Sequence, residues 1–252
     1  MVLTVERYLE ALSGLMPNTY ANDRVVIIPY VSSTFLDADP GTREAAPIRA
    51  RNASKWWFFR GNMQRYGITG HARLSLRALA EHLGQGRCDF VSAFVPKRAT
   101  GRHTRRSLLV ETADEMRDAA LCLCPAGDSP TSLRLFESLA AGCVPVVSSD
   151  KMHMTHVLPF PNLIDWDEVA FFTEALNDVT SCGAGVFEMA DTLNRTMGRE
   201  AGEEQVARLE RMSRRGVEVF QKHFSYFRNP RGVADGALYE AYTLMKEKGI
   251  YA

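Results

Sequence analysis

Among the residues of this chain whose types and spacing can do chemistry, most are concentrated in one stretch, Leu121 to Asp150, LCLCPAGDSPTSLRLFESLAAGCVPVVSSD. Pro125, Gly127, Asp128, Ser129 and Pro130 form a turn signal after an apolar run, and Thr131 and Ser132 stand at the mouth of the helix that follows. The first N–H groups of a helix lack intrahelical partners and sit at the positive end of its dipole, and small hydroxyl residues there let a phosphate approach closely. A diphosphate suits such a loop. Arg134 and Glu137, three apart, share a helix face, where an arginine supplements phosphate contacts and a carboxylate accepts from both hydroxyls of a ribose. The same residues also fit a plainer arrangement, an N-capped amphipathic helix with Arg134 and Glu137 as a surface ion pair.

The elements that must position these residues form an alternating series. Apolar strands are expected at Lys55 to Arg60, Cys88 to Val95, Ala120 to Cys124 and Cys143 to Ser148, with a short fifth at Asn162 to Ile164. Between them fall amphipathic helices at Gly70 to Leu83, Ser107 to Ala119 and Thr131 to Ala141, the last closed by Gly142 at a left-handed position. This pattern predicts an α/β fold, a Rossmann-like parallel sheet with helices on both faces, in which ligands bind beyond the strand carboxyl ends. Upstream lie a helix candidate at Val5 to Leu15, a strand at Arg24 to Val31, and an aperiodic linker from Ser32 to Asn52. Downstream, helices are expected at Glu168 to Asn177, at Phe187 to Phe220 with a break, and at Ala234 to Lys248. The expected organisation is an N-terminal segment (1–51), a Rossmann-like domain (52–180) and a helical C-terminal extension (181–252).

Composition narrows the function classes. The 252 residues are 46% hydrophobic and 24% charged, the balance of an ordinary globular protein, and 30 basic residues offset 30 acidic ones. A net charge of zero gives no long-range attraction to nucleic acid or anionic membrane, so anion recognition must come from a local site. No run approaches the roughly 20 apolar residues of a transmembrane helix, so the chain is expected to be soluble as written. The five cysteines, Cys88, Cys122, Cys124, Cys143 and Cys182, are odd in number and mostly lie in apolar runs, which favours buried free thiols over a disulfide framework. His153 and His156 lack the Cys, Asp or Glu neighbours that would complete a metal site, and the basic stretch Lys97 to Arg106 reads as a solvated loop.

The segment CPAGDSPTSLRLFESLAAGCVPVVSSD, followed by LPF at Leu158 to Phe160 and IDW at Ile164 to Trp166, resembles the signature block of the exostosin family of glycosyltransferases. FFRG at Phe58 to Gly61, with Arg65 and Arg73 beyond it, resembles that family's arginine-bearing strand-to-helix turn. The likeness runs from about residue 24 to 180 and is densest from 120 to 166. It implies one half of a GT-B architecture, the half that binds the nucleotide sugar, generally a uridine diphosphate (UDP) sugar, with inversion at the anomeric centre. On that likeness Gly127, Asp128, Ser129, Thr131 and Ser132 line the diphosphate loop and Arg134 neutralises it. Glu137 holds the ribose, and Arg60 and Arg65 add positive charge; Asp150 is expected, from its place at the end of the CVPVVS strand, to face the donor sugar.

The likeness further implies a glycan or glycoprotein acceptor and a Golgi or secretory location, with no tightly bound cofactor; divalent-metal dependence and oligomeric state stay open. Two departures stand out. Only some 50 residues precede the Rossmann pattern, which leads us to expect a truncated, fragmentary or catalytically inactive protein and to assign no catalytic base. Ser132-Leu133-Arg134 also carries one arginine where many relatives show two. Retaining GT-B enzymes often carry two glutamates eight positions apart at this helix, and Ser129 stands eight before Glu137, which argues for the exostosin-like pattern.

Overall fold

A computed structural model of the chain describes residues 2–4, 25–32, 46–51, 56–61, 88–92, 102–125, 132–148, 158–173, 202–247 and 249. Five strands, β3 (Trp57–Gly61), β4 (Cys88–Ser92), β5 (Leu121–Pro125), β6 (Val144–Ser148) and β7 (Phe171–Thr173), form one sheet in the order β4-β3-β5-β6-β7. Every pairing in it is parallel. From β3 the chain steps outward to β4, then returns to β5 on the other side of β3 and continues through β6 to β7. The direction of winding therefore reverses between β3 and β5, and such a reversal opens a crevice at the strand carboxyl ends. A second, two-stranded parallel sheet pairs β1 (Val2–Thr4) with β2 (Val25–Ile27).

Strand alternation sends side chains to two buried layers. Trp57, Phe59, Leu121, Leu123, Val144 and Val146 pack with Ile48 and with Val206, Leu209 and Met212 of α3 (Glu203–Val219). The opposite face turns Phe58, Cys122 and Cys143 against Ala113 and Met116 of α1 (Arg102–Asp118) and Ala141 of α2 (Leu133–Ala141). Because both faces are covered, the central strands read as continuous apolar runs such as WFF and LCLC. The helix α2 begins at an N-cap, Ser132, and ends at Gly142, whose φ of 70° is costless only for glycine.

A third buried cluster joins Leu135, Phe136 and Leu139 of α2 to Phe160, Trp166 and Phe224, and to Val233 and Ala237 of α4 (Pro230–Glu247). Between α3 and α4 the chain makes a π-helical turn, Phe220–Phe224, which presents Phe224 edge-on to Phe136 and stacked on Trp166. Val26 of β2 belongs to the same cluster, and Tyr226 Oη donates to the carbonyl of Pro29 at 2.8 Å.

Four expectations are corrected. The fifth strand is Phe171–Thr173, not Asn162 to Ile164, and the helix expected from Glu168 is a 3-10 turn, Trp166–Glu168, leading into that strand. The N–H groups of Leu163 and Ile164 both go to the carbonyl of Phe160, and that of Asn162 goes to Glu240, so none remains for a strand ladder. Cys122 and Cys143, read as free thiols, are joined as a disulfide with Cα atoms 5.8 Å apart. Adjacent parallel strands bring them together: Cys122 lies opposite Pro145, two residues beyond Cys143. Finally, the end of the expected linker is part of the core. Ile48 is fully buried, and Arg51 donates to the carbonyl of Ala119 at 2.6 Å and to Ser213 Oγ at 3.1 Å. The helices expected at Val5 to Leu15 and Gly70 to Leu83 lie outside the described residues.

Candidate functional site

Two backbone ends meet at the reversal point of the sheet. The carboxyl end of β3 carries Arg60, and the chain leaving β5 re-enters the described residues at Ser132, the cap of α2. The two are tied directly, since Arg134 Nε donates to the main-chain carbonyl of Arg60 at 3.0 Å across 74 residues of sequence. Arg134 Nη1 in turn pairs with Glu137 one turn along α2. The carboxylate lies beneath the guanidinium: the side chain of Glu137 is 4% exposed and that of Arg134 27%. Ser138, next along the helix, donates from Oγ to the carbonyl of Arg134 at 2.6 Å.

No acidic residue occupies the first turn of α2, whose unpaired N–H groups form the positive end of its dipole, and the charge of Arg134 there is paired with Glu137 one turn on. Ser132 Oγ is used as the cap, accepting from the N–H of Arg134 at 3.3 Å. Below, the buried Cys124 thiol stands 3.5 Å from Ser138 Oγ, and burial pushes its pKa up to about 12. A thiol that far from ionisation is a packing group rather than a nucleophile.

Of the residues singled out in sequence, Ser132, Arg134 and Glu137 are therefore brought together, and Arg60 joins them through its main-chain carbonyl rather than its charge. Arg65, Gly127, Asp128, Ser129, Thr131 and Asp150 lie outside the described residues. The guanidinium of Arg60 is engaged by α1: it donates to Thr112 Oγ1 at 3.0 Å and pairs with Glu115 at 2.6 Å and Glu111 at 3.4 Å. These partners were missed in sequence. Their signal was present, because Glu111 and Glu115 place two like charges on one helix face, four residues apart, a mild repulsion that a cation from another element relieves. The Cys122–Cys143 disulfide was missed too; its bridge spans a sequence separation of 21 that contains the whole of α2. Among the described residues no cluster of His, Cys, Asp or Glu could hold a metal ion, and no helix is long and apolar enough to cross a membrane.

The family model described as the exostosin GT47 domain matches residues 11–183. Over 161 residues the chain is 30% identical to the probable glucuronoxylan glucuronosyltransferase IRX7 of Arabidopsis thaliana, covering 64% of this chain and 32% of the relative. Shorter matches include a probable glucuronosyltransferase of Oryza sativa subsp. japonica, 43% identical over 61 residues, 24% of this chain and 14% of the relative. Another is the probable beta-1,4-xylosyltransferase IRX10 of Arabidopsis thaliana, 42% identical over 59 residues, 23% of this chain and 13% of the relative. The chain thus spans about a third or less of the length of these relatives. With a family match covering well over half of its residues and a parallel sheet that delivers the signature helix to the reversal point, the chain belongs to the exostosin GT47 family.

Proposed function

We propose that this chain binds a nucleotide diphosphate sugar, with UDP as the nucleotide, and serves transfer of the sugar to a glycan or glycoprotein acceptor with inversion at the anomeric carbon. The observation that supports this most is the meeting of Arg134 with the end of β3 at the sheet's reversal point. There a helix start without acidic residues and a part-exposed guanidinium stand where α/β sheets take ligands. As the glycosidic bond breaks, negative charge grows on the departing diphosphate, and donors already aimed at that charge lower the barrier. In this reading Gly127, Asp128, Ser129, Thr131 and Ser132 cradle the diphosphate, Arg134 neutralises it, Glu137 serves the ribose, and Asp150 faces the sugar. Arg60 contributes its carbonyl to holding Arg134, and Arg65 adds positive charge.

The base that deprotonates the acceptor hydroxyl is left to the opposite half of a GT-B enzyme. The relatives' names make UDP-glucuronic acid and UDP-xylose the first donors to test. A buried disulfide accords with an oxidising compartment such as the secretory pathway.

The test is calorimetric titration of UDP into the chain and into Arg134→Ala and Glu137→Ala. Each variant is expected to lose about 1–3 kcal/mol of binding, the range for hydrogen bonds to charged groups. Unchanged affinity in both would remove the site. A second reading is a donor-binding module with no transfer of its own, motivated by a candidate site that, among the described residues, offers anion and ribose contacts but no assigned base for the acceptor hydroxyl. It predicts UDP binding without sugar release from any donor in the presence of acceptor.

A further inference from the structure

Resting on the donor-site reading above, a coupling between the two halves of the nucleotide follows from how Arg134 and Glu137 are stacked. Glu137 is 3% exposed, and its carboxylate pairs with the part-exposed guanidinium of Arg134. One of its oxygens is engaged by Arg134 Nη1, and with the carboxylate this buried, both hydroxyls of a ribose gain full access to it only when the guanidinium moves aside. Arg134 is also the cation that a phosphate would engage, because its side chain is 27% exposed while its Nε is anchored on the Arg60 carbonyl.

We propose that Arg134 is a latch over Glu137, opened by the diphosphate, so that recognition of the ribose depends on capture of the phosphates. The energetics favour joint rather than separate occupancy. Drawing Arg134 to a phosphate with no ribose present leaves a buried carboxylate without its counter-charge, which is strongly unfavourable. A ribose arriving alone must open a charge-assisted pair to reach its acceptor. With both present, the guanidinium keeps an anion and the carboxylate gains two hydroxyl donors. The hydrogen bond from Nε to the β3 carbonyl gives the guanidinium a pivot, so the change is a swing of its outer nitrogens rather than a departure of the side chain. Nucleosides without phosphate are thereby rejected.

The experiment splits the nucleotide into uridine and orthophosphate, the latter small enough to leave room for the 5′ end of the nucleoside, and titrates each calorimetrically with and without the other at saturation. Each is expected to tighten the other by the same factor, on the order of 5- to 150-fold, since linkage between two ligands is reciprocal. In Arg134→Ala, uridine alone should bind at least as tightly as it binds the phosphate-saturated wild type, and phosphate should no longer change it. Uridine affinity that ignores phosphate, in a chain that binds UDP, overturns the latch and leaves the site reading intact. Failure to bind UDP at all overturns the site reading and the latch with it. Loss of phosphate binding in Glu137→Gln with uridine unaffected would make Glu137 only a support for Arg134, and this too overturns the latch.

Discussion

The disulfide between Cys122 and Cys143 offers the most quantitative prediction, because its effect follows from chain topology. The bridge closes a loop with a sequence separation of 21, and that loop carries the candidate phosphate-binding turn and all of α2. In the chain-entropy account, closing a loop of this length removes about 11 cal/mol/K from the unfolded ensemble, or about 3.3 kcal/mol at 25 °C. Replacing both cysteines by alanine should therefore lower the unfolding free energy by about 3.3 kcal/mol, and the packing lost with two buried sulfur atoms adds to this. For a chain of about 250 residues the midpoint should fall by roughly 7–13 °C. Urea denaturation of the oxidised wild type and of Cys122→Ala/Cys143→Ala measures the difference. The variant should also show the steeper denaturant dependence of a less constrained unfolded chain. If the variant unfolds within about 0.5 kcal/mol of the oxidised wild type, a spread usual for silent surface changes, the reasoning is refuted. Non-reducing peptide mapping that recovers Cys122 and Cys143 unlinked would refute the premise itself.

Other expectations follow from packing and titration. Gly232→Ala should destabilise the fold by about 1–3 kcal/mol by chemical denaturation, because an added Cβ would stand 1.9 Å from the carbonyl oxygen of Lys222, a backbone atom with little room to yield. Glu240→Ala should cost about 1–3 kcal/mol through loss of the two bonds it accepts from Asn162, at 2.7 and 2.8 Å, and Trp166 fluorescence should report the loosened turn. Half-buried His223 is held below its ordinary pKa of about 6.5 by burial and next by the charge of Lys222, so the fold favours the neutral ring. Its contribution is fully present above about pH 6.5 and is lost as the pH falls below that value. Melting temperatures from pH 7.5 to 5 should fall more steeply for the wild type than for His223→Gln, and parallel curves would count against the assignment.

Much of the sheet was legible because strands buried on both faces leave unbroken apolar runs: WWFF and LCLC announce β3 and β5, and CVPVV announces β6. The helix α2 was legible from its ends, a capping serine and a glycine required at a left-handed φ. What escaped notice depended on partners distant in sequence. Asn162 to Ile164 has strand-like residues, but the turn at Phe160 and the carboxylate of Glu240 claim its N–H groups. Cys122 and Cys143 become bonding partners only once β5 and β6 are neighbours, which no count of cysteines reveals. At the site, the types and spacing of Arg134 and Glu137 were visible, whereas the burial of one beneath the other was not. That order depends on Arg60, 74 residues away, whose carbonyl holds the guanidinium in place.

The junction between Tyr226 and Pro29, 197 residues apart, has a consequence for biosynthesis. Val26 completes an apolar cluster whose other members include Val233, Ala237 and Ala241, so that cluster cannot close until residues past 241 have left the ribosome. Throughout translation of the intervening chain, Phe136, Phe160 and Phe224 lack their final cover, a window in which chaperone binding guards against aggregation. A premature stop before Pro230 would make that window permanent, leaving the central sheet assembled but one flank of α2 open to solvent.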